Sequence, residues 1–136
     1  MKIYLCSRYS RRDEMRGVRR EIHKQGHHTI VSRWLDTDWE CKTSDRTSSA
    51  APSEYREKYA KIDTEDVLAC DCLVAFTEKP DAGGRGGRHV EFGIAIALEK
   101  RQIVVGYREN LFYYLPQVEI CSNTDDLLKV LYRLKE

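Results

Sequence analysis

Residues 71–76, Asp-Cys-Leu-Val-Ala-Phe, form an apolar run of strand length that is bounded by Asp71 at its start and by the polar segment Thr-Glu-Lys-Pro after its end. A run without polar alternation is typical of a central strand that is covered on both faces. A helical pattern precedes it at residues 53–69, and a second helical pattern follows it at residues 88–100. The run therefore predicts an inner strand of a parallel sheet with helices packed on both faces.

The same alternation of strands and helices continues on both sides of this run. Further strands are predicted at residues 2–6, 29–34, 102–106 and 117–121. Further helices are predicted at residues 11–24, capped by Ser10, and at the end of the chain, where Asn123 or Thr124 caps a helix that carries an apolar stripe of leucines. In the helix at 88–100, the residues predicted to face inward are Val90, Ile94, Ala97 and Leu98. Because right-handed crossovers leave few topologies for this order, we expect a flavodoxin-like, Rossmann-like three-layer α/β sandwich around a five-stranded parallel sheet.

Length and composition limit the classes of protein to consider. The chain has 136 residues, which predicts a single domain over residues 1–136. Its 23 basic and 22 acidic side chains give a net charge of +1, so we expect neither wrapping of nucleic acid nor docking to a membrane surface. No apolar run approaches the roughly 20 residues that span a bilayer. The five cysteines are predicted to be buried free thiols, which fits a cytoplasmic protein.

The predicted fold indicates where a ligand would bind. In open parallel sheets, ligands bind beyond the carboxyl ends of the strands, so segments 7–12, 77–89 and 106–110 should converge. Residues 83–87, Gly-Gly-Arg-Gly-Gly, allow close approach of the backbone and lead into a helix N-terminus, which favours anions. They match neither the P-loop nor the dinucleotide fingerprint, and a flexible loop with solvated charges is the alternative. Glu91, expected in the first turn of that helix, is either a functional carboxylate or one that only stabilises the helix end.

Three segments resemble one known family. Residues 88–100, Arg-His-Val-Glu-Phe-Gly-Ile-Ala-Ile-Ala-Leu-Glu-Lys, resemble the nucleophile motif Glu-(Leu/Phe)-Gly-x-Ala of the nucleoside 2-deoxyribosyltransferase superfamily, which includes the deoxynucleoside 5′-monophosphate N-glycosidases. Residues 2–7 are similar to its first strand and loop. Residues 62–75 are similar to its third helix-strand unit, in which an aspartate lies two helical turns before the strand. The similarity extends over nearly the whole chain.

The resemblance implies a catalytic role for three residues. Glu91 would attack C1′ of the sugar and form a glycosyl-enzyme ester, which water or a second base would then resolve. Asp63 would assist departure of the base or hold the sugar, and Tyr4 would position the nucleophile by a hydrogen bond. This is the two-carboxylate chemistry of retaining glycoside cleavage, with an oxocarbenium-like transition state. The resemblance also implies a homo-oligomer, and no cofactor or metal is expected.

The chain departs from the family pattern in its basic loops. The glycine-rich segment before Glu91 is longer and more basic than in the family. We predict that four arginines grip a 5′-phosphate, although they would serve equally as a charged rim: Arg8, Arg11, Arg85 and Arg88. The other predicted substrate-binding residues are small loop residues and one aromatic that would stack on the base or cover the end of the sheet: Ser7, Ser10, Gly84, Gly87 and Trp34.

The sequence therefore predicts an enzyme that cleaves or transfers the N-glycosidic bond of a (deoxy)nucleoside or nucleoside 5′-monophosphate. Its partner would be that small molecule, with neither nucleic acid nor membrane involved. One alternative is a phosphoribohydrolase similar to the cytokinin-activating enzymes, whose Pro-Gly-Gly-x-Gly-Thr-x-x-Glu motif residues 83–91 loosely match without the proline. A second alternative is a non-catalytic nucleotide-binding or nucleotide-sensing module on the same fold.

Overall fold

The computed structural model describes residues 1–37, 53–84 and 86–134. Its centre is one parallel sheet of five strands in the order β2-β1-β3-β4-β5. The strands are β1 (Lys2–Cys6), β2 (Thr29–Ile30), β3 (Cys72–Phe76), β4 (Arg101–Val105) and β5 (Glu119–Cys121). This order confirms the predicted flavodoxin-like topology, in which the direction of winding reverses between β1 and β3.

Four helices cover the two faces of this sheet. They are α1 (Arg12–Lys24), α2 (Ser53–Ala69), α3 (Gly87–Ala97) and α4 (Thr124–Arg133). Helix α1 contacts α4 and helix α2 contacts α3, which gives the predicted three layers. All five residues of β3 are buried, as expected for a strand covered on both sides. Of the five cysteines, the four that the structure describes are buried free thiols: Cys6, Cys70, Cys72 and Cys121.

The second strand is shorter than the sequence predicts. It ends at Ile30, and residues Arg33–Leu35 form a 3-10 helix. Side chains replace the backbone pairing that a longer strand would make with Leu5: Ser32 Oγ accepts from Leu5 N at 2.6 Å. Trp34 Nε1 donates to Leu5 O at 2.8 Å. The alternating apolar pattern of residues 29–34 therefore reflects burial of the chain, not continuation of the strand.

The starts of two helices also differ from prediction. Ser10 does not cap α1, because it lies within a 3-10 helix (Tyr9–Arg11) and α1 begins two residues later. In α3, Val90 and Ala97 are exposed instead of inward-facing, as is Leu98 at the C-cap; Val90 and Leu98 have 65% and 51% of their surface accessible. The helix begins at Gly87 and turns Phe92 and Ala95 toward the sheet instead. The prediction chose the wrong face because this helix is apolar on more than one side.

Two glycines shape the edge of the sheet at which the strands end. Gly106 follows β4 with φ of 116°, and a Cβ there would lie 2.9 Å from Thr77 Oγ1. The chain after β4 can therefore pass close to the chain after β3 only without a side chain. Gly86 has φ of 85° and occupies the N-cap position of α3. This left-handed conformation, which glycine adopts without a steric penalty, turns the preceding loop into the helix.

No helix in the described part of the chain has both the length and the apolar character needed to cross a membrane.

Candidate active site

A cavity of about 790 Å³ opens at the carboxyl end of β1, between the chain that follows β1 and helices α2 and α3. This is the edge of the sheet at which the fold predicts ligand binding. The cavity is also lined from β1, from the 3-10 helix after β2 and from the glycine-rich loop before α3. Most of the residues predicted for the site line it: Tyr4, Ser7, Arg8, Ser10, Trp34, Asp63, Gly84, Gly87, Arg88 and Glu91.

The centre of the site is a contact between β1 and α3. Tyr4 and Cys6 alternate along β1 and therefore point to the same face of the sheet. The Tyr4 hydroxyl donates a hydrogen bond to Glu91 Oε2, and Cys6 Sγ donates to Glu91 Oε1 at 3.4 Å. The predicted contact between Tyr4 and Glu91 is present, whereas Cys6 was not predicted as a neighbour. The sequence predicted Glu91 in the first turn of α3. It is the fifth residue of that helix and therefore lies in the second turn.

Both donors remain protonated at neutral pH. Burial raises the pKa of the Tyr4 phenol well above its ordinary value, and the nearby Glu91 and Asp63 carboxylates raise it further. Burial likewise raises the pKa of the Cys6 thiol, with Glu91 as the next cause. Neutral donors orient the oxygens of Glu91 without cancelling its charge. A carboxylate in this arrangement remains chemically suited to attack an electron-poor carbon.

The second predicted carboxylate comes from α2. Asp63 lines the same cavity as Glu91, and its charge acts on both Tyr4 and Cys6. Helices α2 and α3 contact each other, so their packing sets the separation between the two carboxylates. Asp63 and Glu91 are 28 positions apart in the sequence, and the fold brings both to the wall of one cavity. Two carboxylates around one small-molecule cavity are the minimum for retaining glycoside chemistry.

Two of the four predicted arginines meet at the edge of the cavity. The Arg88 side chain is buried, and its Nε and Nη2 donate to the carboxylate of Glu109. Its Nη1 lies near Gly84: a Cβ on Gly84 would be 3.3 Å from Arg88 Nη1 and 3.7 Å from Arg8 Nη2. Two guanidinium groups therefore flank one exposed stretch of glycine backbone. Such a pair can bind a phosphate or carboxylate group.

The other two arginines are not part of this pair. Arg11 does not line the cavity, because its guanidinium pairs with Glu14 and Glu78, each at 2.8 Å. The hydrogen bond from Arg11 is the main cause that lowers the pKa of Glu14. Arg85 lies outside the described residues. The charge pattern of the sequence could not distinguish an arginine with acidic neighbours from one that faces the cavity.

Aromatic side chains form another part of the wall. Trp34 is 3% exposed and lines the cavity, with its ring nitrogen committed to the backbone of β1. Tyr9 lies beside it at a centroid distance of 6.2 Å, and Tyr59 lines the cavity from α2. Tyr9 and Tyr59 were not predicted as site residues. The available signal was that Tyr59 precedes Asp63 by four positions and so shares its helical face.

Glu109 is a further residue that the sequence did not indicate. Burial alone would raise its pKa, but hydrogen bonds from Arg88 and from the Glu78 N–H outweigh burial and hold that pKa below its ordinary value. It is therefore charged at neutral pH and pairs with the Arg88 guanidinium. Among the described residues, no cluster of three or more histidine, cysteine, aspartate or glutamate side chains is arranged to hold a metal ion.

Several solved structures share this fold. A 2-deoxyribosyltransferase from Bacillus psychrosaccharolyticus is 19% identical, with a TM-score of 0.68 over 94% of this chain and 90% of that chain. A conserved protein from Enterococcus faecalis V583 is 18% identical, with a TM-score of 0.68 over 98% of both chains. The CMP N-glycosidase BcmB of Clostridium botulinum is 16% identical, with a TM-score of 0.58 over 96% of this chain and 98% of that chain. No protein-family model and no curated protein sequence matches the chain.

These similarities agree with the resemblance found in the sequence. The 2-deoxyribosyltransferase and the CMP N-glycosidase both belong to the superfamily whose motifs residues 2–7, 62–75 and 88–100 resemble. At identities between 16% and 19%, the comparisons establish the fold of this chain. The resemblance is therefore confirmed at the level of the fold.

Proposed function

We propose that this chain, which shares its fold with a 2-deoxyribosyltransferase and a CMP N-glycosidase, cleaves or transfers the N-glycosidic bond of a nucleoside or nucleotide. The observation that carries the proposal is the position of Glu91. It lies on the wall of a cavity that Asp63 also lines, and it accepts hydrogen bonds from two buried, neutral donors, Tyr4 and Cys6. An ordinary surface glutamate that stabilises a helix end would have no need of buried donors from a neighbouring strand.

In the first step, a Glu91 oxygen forms a bond to C1′ of the sugar while the bond from C1′ to the base nitrogen breaks. The electron pair of the broken bond leaves with the base. Asp63 either supplies the proton that neutralises the departing base or holds the sugar in place. The product of this step is a sugar ester of Glu91, reached through an oxocarbenium-like transition state.

In the second step, an acceptor attacks C1′ and releases the Glu91 carboxylate. If the acceptor is water, the proton that it loses passes to Asp63 and the reaction is a hydrolysis. If the acceptor is a ring nitrogen of another base, that nitrogen loses its proton to Asp63 as it bonds to C1′, and the reaction is a transfer that yields a new nucleoside or nucleotide. Both outcomes use the same ester, so the geometry of Glu91 and Asp63 serves either reaction.

The dimensions and lining of the cavity suit a nucleoside or a nucleotide. Its volume of about 790 Å³ lies within the range of roughly 300–1,000 Å³ that is typical of small-molecule sites. Trp34, Tyr9 and Tyr59 offer aromatic surface to a base. Arg8 and Arg88 meet beside Gly84 and suit a 5′-phosphate, which favours a nucleoside 5′-monophosphate over the free nucleoside.

A chromatographic screen for release of free base tests this proposal. The purified protein is incubated with common and modified nucleosides, deoxynucleosides and their 5′-monophosphates, with and without a second base. We expect base release from at least one 5′-monophosphate, and none with the Glu91→Gln variant. Release only in the presence of a second base identifies a transferase. A folded protein that binds nucleotides tightly but releases no base from any of them is instead a binding module, and the proposal is then wrong.

We also propose that the chain forms a homo-oligomer, as the family resemblance implies. Val90 supports this, because it lines the cavity and is nevertheless 65% exposed. Light scattering coupled to size-exclusion chromatography measures the mass directly. A monomer mass at micromolar concentration would contradict the expectation.

A further inference from the structure

The carboxylate of Glu109 joins three parts of the chain behind the cavity. It accepts hydrogen bonds from Nε and Nη2 of Arg88, in the first turn of α3. It also accepts from the backbone N–H of Glu78, in the loop that follows β3, at 3.0 Å. The Arg88 and Glu109 side chains are 7% and 5% exposed. Such a buried, bidentate ion pair has one well-defined geometry.

A neighbouring histidine leaves this ion pair intact. His89 Nε2 lies 3.8 Å from Glu109 Oε2, and His89 Nδ1 lies 2.9 Å from the Tyr113 hydroxyl. Burial and then the charge of Arg88 lower the pKa of His89 below its ordinary value. The ring is therefore neutral near pH 7, and Arg88 remains the cation that Glu109 holds.

The ion pair leaves one nitrogen of Arg88 for a ligand. Because Nε and Nη2 are bound to Glu109, the guanidinium plane is fixed and Nη1 points to its opposite side. That nitrogen lies 3.3 Å from the position of a Cβ on Gly84, and Arg8 Nη2 lies 3.7 Å from the same point. Gly84 has no side chain, so an anion can approach both nitrogens from the exposed side of the loop.

We propose that Glu109 is a positioning residue that makes the site selective for phosphorylated substrates. It holds Arg88 so that Nη1 faces Gly84 and Arg8, where the 5′-phosphate of a nucleoside monophosphate binds. The identity of this substrate rests on the proposed function, whereas the anion-binding geometry does not. A free nucleoside lacks the phosphate group, so we expect its binding to depend little on Glu109.

Orientation and charge make different predictions at this position. Glu109→Gln keeps the length of the side chain but loses its charge and one acceptor oxygen. Glu109→Asp keeps the charge but withdraws the carboxylate by one methylene and so shifts the guanidinium. If orientation is the role of Glu109, both variants bind phosphorylated substrates more weakly. If Glu109 only offsets the charge of Arg88, the glutamine variant binds an anion more tightly and the aspartate variant behaves as the wild type.

Steady-state kinetics on a nucleoside 5′-monophosphate and on the matching nucleoside test the proposal. For both variants we expect KM for the monophosphate to rise by about tenfold, the effect of one charge-assisted hydrogen bond, and KM for the nucleoside to stay within about twofold. Glu119→Gln is the matched control, because Glu119 in β5 forms an ion pair with Arg101 in β4 that is exposed and lies outside the cavity lining. Any of three results overturns the proposal: KM rises for both substrates, KM for the monophosphate falls, or Glu109→Asp has the kinetics of the wild type.

Calorimetric titration with inorganic phosphate separates this proposal from the proposed function. If the wild type releases no base, the proposed function fails, but phosphate should still bind to the wild type and about tenfold more weakly to both Glu109 variants. Absence of phosphate binding to the wild type, or equal affinity in all three proteins, overturns the role of Glu109. If neither Glu109 variant folds, Gly84→Ala is used, which leaves the ion pair in place and puts a methyl group against Arg88 Nη1. It should weaken phosphate binding by a similar factor, and unchanged binding overturns the proposal.

Discussion

Two glutamates show two different uses of the same side chain: Glu91 belongs to α3, and Glu109, which follows β4, contacts the first turn of α3 through Arg88. Glu91 faces the cavity and accepts hydrogen bonds from the neutral hydroxyl of Tyr4 and the neutral thiol of Cys6. Glu109 lies behind the cavity and is bound by the guanidinium of Arg88 and a backbone N–H. Neutral donors orient a carboxylate and leave its charge available for reaction. A bidentate ion pair with arginine neutralises that charge and fixes the side chain in the folded structure. We therefore expect changes at Glu91 to affect chemistry and changes at Glu109 to affect stability and anion recognition.

The largest effect on activity is expected from Glu91→Gln. Under the proposed mechanism, the amide cannot form the sugar ester, so base release should fall below detection. The fold should persist, because the amide oxygen can still accept a hydrogen bond from Tyr4. Base release is measured by chromatography, and thermal unfolding is monitored by circular dichroism.

Glu57→Gln is the control for this experiment, because Glu57 forms an exposed ion pair with Lys61 on α2. It should leave turnover unchanged. If Glu91→Gln retains wild-type turnover, Glu91 is not the nucleophile.

For Glu109→Ala, the main expected effect is on the free energy of unfolding instead of on catalysis. Removing Glu109 leaves the buried guanidinium of Arg88 without its partner, which should destabilise the protein by about 3–5 kcal/mol. Urea denaturation at pH 7 measures this difference. The double variant Arg88→Met, Glu109→Met should be less destabilised than the single variant, since it leaves no unpaired buried charge. Equal destabilisation of the two variants would show that lost packing, not the charge, is the cause.

The stability that Glu109 contributes should also depend on pH. Its pKa is lowered in the folded protein, so its contribution is complete above its unfolded pKa of about 4.3 and is lost as pH falls through the lower folded value. The difference in unfolding free energy between the wild type and Glu109→Ala should therefore narrow below about pH 4. Urea denaturation repeated between pH 7 and pH 3 checks the sign. A difference that widens in acid would mean that the folded pKa is raised.

A smaller effect is expected from Tyr4→Phe. This change removes the hydroxyl that donates to Glu91 Oε2 and keeps the buried ring. A hydrogen bond to a charged group contributes about 1.5–3 kcal/mol, so kcat/KM should fall by about 10- to 100-fold with the fold intact. Steady-state kinetics on the best substrate from the screen measure the change. A change confined to KM would indicate that Tyr4 contacts the substrate and does not position Glu91.

The smallest effect is expected from Cys6→Ala. A thiol is a weak donor, and its sulfur lies 3.4 Å from Glu91 Oε1, so kcat should fall by less than about tenfold. Cys6→Ser restores a donor at this position and should recover part of the loss. If the alanine and serine variants are equally impaired, the role of Cys6 is packing against α3. Comparison of the two variants on one substrate distinguishes these cases.

The parts of the fold that follow from local patterns were predicted from the sequence. The apolar run at residues 71–76 indicated a central strand, and the alternation around it gave five parallel strands in the correct order. Helix α2 has the predicted bounds. The end of β2 was not predicted, because side-chain hydrogen bonds from Ser32 and Trp34 to Leu5 replace the backbone pairing there. Such bonds leave no periodic signal in the sequence.

The candidate site was predictable where a motif or the fold pointed to it. The order of strands placed the cavity, and the family resemblance indicated Tyr4, Asp63 and Glu91, which all line it. The partners of the arginines were not predictable. Arg11 pairs with Glu78, and Arg88 pairs with Glu109, across separations of 67 and 21 residues. Residue counts and net charge cannot assign such long-range pairs.

The sequence by itself determined the order of elements, the edge of the sheet that holds the cavity, and the residue types that reach it. These follow from hydrophobic periodicity and from the handedness of crossovers, which act locally along the chain. The tertiary structure alone decided which charged groups remain available to a ligand. Glu91 meets neutral donors while Glu109 and Arg88 bind each other, because charge pairing depends on distances between segments far apart in the chain. The chemical character of the site therefore comes from packing, and its location comes from the sequence.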